Sequence, residues 1–155
     1  MSGIRKIRYE EVIPDHKNEH EGFEYFKHSM VPKGAANQCA VSVYQVPPGK
    51  SAYPYHSHTN NEESFYILQG TGLVKTPDGL IEVSPGDFLF FPADESGAHQ
   101  ITNVSETEML VYIDFDTENR IDVAFYPDSG KVGIWGQHTN MLFRVADRTG
   151  YYEGE

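Results

Sequence analysis

From residue 39 to residue 126 the chain is cut into short runs in which apolar and polar residues alternate, each closed by Pro or Gly. The runs cover residues 39–46, 63–68, 72–75, 80–83, 88–91, 99–103, 109–115 and 121–125. A period of two puts successive side chains on opposite faces of an extended backbone, whereas a helix needs a period of about 3.6 to bury one face, and that period is missing here. Between the runs stand Pro47-Pro48-Gly49, Gln69-Gly70, Pro77-Asp78-Gly79 and Pro85-Gly86-Asp87. In these turns Gly supplies a positive φ and Pro presets a negative one, and Asp78-Gly79 reads as a hairpin. Many short strands at even spacing predict an all-β protein, an antiparallel sandwich or barrel.

Size and charge narrow the function. The 155 residues fit one domain that buries roughly two-thirds of its unfolded surface. Twelve Lys and Arg against 23 Asp and Glu leave a net charge of −11, which repels nucleic acid and anionic membrane surfaces. The single cysteine, Cys39, cannot close an intrachain disulfide and reads as a buried small residue. No apolar run approaches the roughly 20 residues of a membrane-spanning helix. The basic start up to Arg8 leads into Tyr9 and two glutamates without an apolar stretch, so a cytoplasmic location is expected. Asn103-Val104-Ser105 is a glycosylation sequon by chance in such a chain.

Two flanks differ from the strand-rich centre. Residues 1–37 read as an N-terminal arm with one strand near residues 23–26, and residues 127–155 as a short irregular C-terminal tail packed on the barrel or on a partner subunit. Phe23, Tyr25, Phe26, Trp135, Phe143, Tyr151 and Tyr152 in these flanks need cover, and a homodimer formed through arm or tail supplies it.

The chemistry concentrates in two segments. His56 and His58 are two apart, so on a strand they face the same way with Cα atoms about 7 Å apart, a span two imidazoles close onto one ion. Glu63 opens the next run, on the face of Phe65 and Ile67, while Glu62 falls on the opposite pleat as a surface carboxylate. A third imidazole, His99, heads another run after Pro92 and Gly97. If these four side chains point inward, Phe65, Ile67, Ile101, Val111 and Ile113 share the lumen. That makes a small apolar pocket without Lys or Arg, a poor seat for a sugar phosphate. Tyr53 and Tyr55 stand at its mouth. His16, His20, His28 and His138 lack partners at ligand spacing, and Gly70-Thr71-Gly72 is followed by no helix, so it is no phosphate loop.

The two segments resemble the two sequence motifs of the cupin superfamily. In the first, four residues separate His58 from Glu63 and six more separate Glu63 from Gly70, a frame that selects Glu63 over Glu62. Gly86, Pro92, Gly97, His99 and Asn103 match the second. The departures are six residues between Gly49 and His56, where the family has five, and a longer loop from Pro92 to His99. The tail from Tyr126 onward is similar to the endings of single-domain bacterial cupins. The resemblance implies a double-stranded β-helix, or jelly-roll, barrel over residues 38–126. It implies one divalent transition metal (Fe, Mn, Ni, Co or Zn) on His56, His58, Glu63 and His99, and dimers built sheet to sheet. Two functions are compatible with it: a metalloenzyme acting on a small oxygenated or carboxylated metabolite, as dioxygenase, isomerase or decarboxylase, or a non-catalytic module that binds metal or a small ligand.

Overall fold

The computed structural model describes residues 4–36, 38–136 and 138–155; the first three residues and Asn37 of the expected arm, and Gln137 of the tail, lie outside them. In chain order the strands are β1 (Asp15–His20), β2 (Phe23–Val31), β3 (Cys39–Val46), β4 (Ser57–His58), β5 (Glu63–Gln69), β6 (Gly72–Thr76) and β7 (Gly79–Val83). They continue with β8 (Phe88–Phe91), β9 (Gln100–Asn103), β10 (Leu110–Thr117), β11 (Ile121–Tyr126), β12 (Lys131–Gly136) and β13 (Thr139–Arg144). Among the described residues no helix is long and apolar enough to cross a membrane.

The strands pair antiparallel into a six-stranded sheet, β1-β2-β3-β10-β5-β8, a four-stranded sheet, β13-β12-β11-β4, and a three-stranded sheet, β7-β6-β9. This is the all-β antiparallel architecture that the alternation predicts, in the jelly-roll form that the resemblance implies. Tyr44, Val46, Phe65, Ile67, Leu110 and Tyr112 from the large sheet pack on Val74, Val83 and Ile101 from the small one. The hairpin at Asp78-Gly79 is present, with Thr76 paired to Gly79 across a two-residue loop. Gly70 has a φ of +80°, and a Cβ there would strike the carbonyl of Met109, so no other residue fits the turn from β5 to β6. The sequon is structural: Asn103 is fully buried and donates to the carbonyls of Val46 and Glu108, at 2.8 Å each.

Both flanks hold more regular structure than the sequence suggests. The arm supplies two strands rather than one, and β2 pairs with β3, extending the large sheet. The tail holds the hairpin β12–β13, which joins β11. Gly133 and Gly136 hide this pair from a propensity reading. Phe23, Tyr25, Phe26 and Trp135 are half-buried on their own chain, whereas Phe143, Tyr151 and Tyr152 are exposed. Cys39 is half-buried, less than expected.

The inward face of β10 differs from expectation. Tyr112, Asp114 and Asp116 point inward, while Ile113 and Phe115 turn to the outer face. β10 alternates without a break, so Tyr112, Asp114 and Asp116 pair with the inward Ile67, Phe65 and Glu63 of β5, and the one bulge, at Leu68 between Val111–Gln69 and Tyr112–Ile67, lies on the partner strand. Val111 is buried beside that bulge. A slip of one residue turns every side chain over, so a lumen of Val111 and Ile113 becomes one of Tyr112, Asp114 and Asp116. Phe65, Ile67 and Ile101 do face inward, as expected.

Candidate metal centre

Four elements bring the expected residues together. His56 and His99 are joined backbone to backbone, His56 N to His99 O at 3.1 Å and His99 N to His56 O at 2.8 Å. His58 lies in β4 opposite Ala124 of β11, and Glu63 opens β5. The loop before His99 is tight because Gly97 lies against the backbone of Pro92, where a Cβ cannot fit. Asp94 steadies it by accepting from the Ser96 amide at 2.8 Å.

Each imidazole is oriented through Nδ1. His56 Nδ1 donates to the Pro54 carbonyl at 2.9 Å and His99 Nδ1 to the Gly97 carbonyl at 2.9 Å. His58 Nδ1 donates to Asp122 Oδ2. With Nδ1 donating in each ring, Nε2 is the atom left for an ion, and the three Nε2 atoms face Glu63. The distances are 2.9 Å from His99 and 3.8 Å from His56 to Oε2, and 3.5 Å from His58 to Oε1. Ligand atoms of His56, His58 and Glu63 all lie within 4.8 Å of one another. His58 Nε2, His99 Nε2 and Glu63 Oε2 are buried and none makes an aligned hydrogen bond. Unpaired buried polar atoms are costly, and a cation held by His56, His58 and Glu63, the three that lie close enough to share one ion, would relieve that cost, with His99 reaching the group through Glu63 Oε2. Three imidazoles and one carboxylate fit a divalent transition metal, and the carbonyl and carboxylate acceptors behind the rings are the partners such ligands require.

The electrostatics favour positive charge at this point. Burial pulls the His56 pKa down to about 4 despite the attraction of Glu63. Burial acts the same way on His58, but the hydrogen bond to Asp122 and the nearby Glu63 carboxylate outweigh it and raise the pKa to about 10. Burial would raise the Glu63 pKa, yet the imidazoles around it, His99 foremost, hold it well below the usual range. Asp122 is lowered too, because the His58 hydrogen bond overcomes its burial.

The cluster forms one wall of a cavity of about 290 Å³. Phe65 and Ile101 line it, and Phe91 stacks on the His99 ring at 3.7 Å. Tyr53 lines it and hydrogen-bonds Tyr44 at 3.0 Å, whereas Tyr55 is a buried packing residue beneath Lys75. Contrary to the apolar, cation-free pocket expected, Lys27 of β2 and Lys33 line the cavity, as do Asp114 and Asp116. Both lysines come from residues 1–37, the expected arm. Burial and the neighbouring Asp116 and Glu63 push Asp114 well up, and burial with Glu63 pushes Asp116 up to about 6.

Sequence reasoning missed Asp114, Asp116, Asp122 and Lys27. The visible signal is the alternation Tyr112, Asp114, Asp116, in which the carboxylates keep step with a core tyrosine. Asp122 keeps step in the same way with buried Ala124. Glu62 is exposed, as expected. His28 is satisfied by the Val12 carbonyl and Gln45, and His16 by Glu24, so neither is a ligand.

Comparison with known proteins agrees with this geometry. The cupin domain family model matches residues 42–115, from β3 to β10, with all four converging residues inside it. Residues 42–115 are a cupin domain. An uncharacterized protein of Methanocaldococcus jannaschii is 27% identical over 108 residues, which cover 70% of this chain and 82% of the relative. A crystal structure from Acidithiobacillus ferrooxidans, described as a putative sugar phosphate isomerase, is 28% identical with a TM-score of 0.80 over 93% of this chain and 92% of that one. A cupin from Silicibacter pomeroyi, described as a sugar phosphate isomerase, is 17% identical with a TM-score of 0.82 over 92% and 94% of the two chains. At that identity the second likeness shows the fold alone. Both alignments extend beyond the cupin domain, so the flanks of this chain belong to the shared architecture.

Proposed function

We propose that this cupin is a metal-dependent enzyme acting on a small oxygenated anion, and that its reaction is isomerisation of a hydroxy-carbonyl compound of the sugar-phosphate kind. The observation that carries the reading is the convergence of three Nδ1-anchored imidazoles on Glu63 at the wall of a cavity that also presents Lys27 and Lys33. His56, His58, Glu63 and His99 would hold the ion, and nitrogen and oxygen donors without thiolate suit Fe, Mn, Ni, Co or Zn. When bound there, such an ion supplies a Lewis acid for the substrate oxygens on which charge develops. The chain's own residues do the rest. The two lysines offer charge-assisted hydrogen bonds to an anionic substituent. Phe65 and Ile101 shield the reacting end from water, and Asp122 fixes the tautomer and direction of His58. The 28% identity to the Acidithiobacillus structure over nearly the whole of both chains supports the same substrate class.

The test is incubation of metal-loaded protein with a panel of aldose and ketose phosphates in D2O, followed by NMR. The expected result is metal-dependent deuterium uptake at the carbon beside the carbonyl with formation of the isomer. His56→Ala with His58→Ala should abolish it, and Lys27→Met should raise KM more than it lowers kcat. Saturable binding without exchange or product would return the chain to the non-catalytic class of small-ligand binding modules.

A further inference from the structure

Asp114 and Asp116 do nothing for the imidazole cluster, yet their placement is costly. Asp116 pairs directly with Glu63 across β10 and β5, and Asp114 is the next inward residue of the same strand. Carboxylate oxygens of all three lie within 4.8 Å of one another. Asp114 is 5% and Asp116 8% exposed, and Oδ1 of each is buried without a hydrogen-bond partner. Like charges directly opposite on neighbouring strands repel, and burial removes the water that would screen them. Lys27 and Lys33 line the same cavity, but among the described residues neither is ion-paired with these carboxylates; Lys27 Nζ lies over the Tyr44 ring, 5.2 Å from its centroid. A cation at this point would answer both the repulsion and the unpartnered oxygens.

We propose that Glu63, Asp114 and Asp116 form a second divalent-cation site, which shares Glu63 with the imidazole cluster. The donors are all carboxylate oxygens, so the site takes a hard ion such as Mn2+, Mg2+ or Ca2+, whereas the nitrogen-rich cluster next to it favours later transition metals. The unpartnered Oδ1 atoms supply the contacts that orphaned acceptors lack, and the cavity side leaves positions for water or substrate oxygen. Carboxylate-bridged pairs of ions clamp two substrate oxygens at once. The site goes beyond the isomerase reading and stands or falls separately from it.

The experiment counts ions. The full chain, stripped by chelator, is dialysed against saturating Mn2+, its metal content is measured, and its EPR spectrum is recorded. The expected result is two Mn2+ per chain with exchange-coupled spins. Asp114→Asn with Asp116→Asn should retain one uncoupled ion, and so should His56→Ala with His58→Ala. One ion in the wild type and none in the histidine variant overturns the second site and leaves the imidazole site intact. One ion in the wild type that survives in the histidine variant and vanishes in the aspartate variant overturns the imidazole site instead. Two ions in the aspartate variant place the second ion elsewhere and overturn the proposal. Should the double variant fail to fold, Asp114→Asn alone and displacement of one of two Mn2+ by Ca2+ in the wild type decide. A protonated-carboxyl infrared band persisting in the Mn2+-saturated wild type means that a shared proton fills the site, which also overturns it.

Discussion

Asp122→Asn tests the orientation of the metal centre from behind. Asp122 is 1% exposed, accepts from His58 Nδ1 through Oδ2, and accepts from the Asn60 and Asn61 amides through Oδ1 at 2.8 and 3.3 Å. Asparagine keeps the shape and, with its carbonyl on the two amides, keeps the loop. Its NH2 then faces the Nδ1–H of His58, donor against donor, and the imidazole must shift its proton to Nε2, the atom needed for the ion. Loss of such a carboxylate lowers metal affinity about 10- to 100-fold, which corresponds to about 1.4–2.7 kcal/mol. Isothermal titration with a competing chelator measures it on folded protein, and the melting temperature of the metal-free variant separates affinity from stability. The carboxylate also lowers stability when it protonates: its folded pKa is depressed, so its contribution is present above the unfolded pKa and is lost as pH falls through the folded one. An Asp122→Asn protein that binds metal within about twofold of wild type, below the range expected for such a carboxylate, would refute the reasoning.

Three further outcomes are expected. Glu63→Gln should weaken metal binding far more than Glu62→Gln, since Glu63 faces the imidazoles and Glu62 faces solvent; equal losses by calorimetry would put the strand register off by one. Metal affinity should rise roughly tenfold per pH unit between pH 6 and 8, because the proton on His58, with its pKa raised to about 10, competes with the ion; a flat profile contradicts this. In the metal-free protein the sign reverses, and the stability from charged His58 is full below its unfolded pKa and lost as pH rises through about 10. Finally, we expect a homodimer of twice 17.5 kDa by light scattering, broken by Phe88→Asp with Phe90→Asp; a mass near 17.5 kDa for the wild type rejects it.

The convergence of the four candidate residues was legible because it depends on local parity: His56 and His58 two apart, Glu63 in step with Phe65 and Ile67, His99 just before β9. The hairpin at Asp78-Gly79 is local in the same sense. What escaped depends on pairings that sequence does not reveal. Asp122 meets His58 only because β11 lies beside β4, a contact 64 residues long in sequence. Lys27 reaches the cavity only because β2 pairs with β3, so a flank that reads as an appendage supplies part of the wall. The hairpin β12–β13 gains its strands from pairing with β11, against the glycines that weaken its intrinsic preference.

The misread strand is the most instructive case. In β10 the alternation is inverted relative to an ordinary one-sided sheet: Asp114 and Asp116 face the interior, and Ile113 and Phe115 face out. A rule that sends apolar residues inward therefore assigns both faces of this strand wrongly. Two features accompany the inversion. Inside, the carboxylates sit beside the imidazoles, where burial is costly without a counter-charge. Outside, Ile113, Tyr66 and Phe88 form one row across β10, β5 and β8 and Phe115, Ser64 and Phe90 the next, with Phe88 and Phe90 65% and 54% exposed at the edge of the large sheet. An exposed aromatic face along an edge strand invites association, and a second copy of the same sheet satisfies it by symmetry. A second copy seated on this face would lie on the back of the very strand whose front carries the carboxylates, and such a dimer would couple assembly to the wall of the cavity through a single backbone.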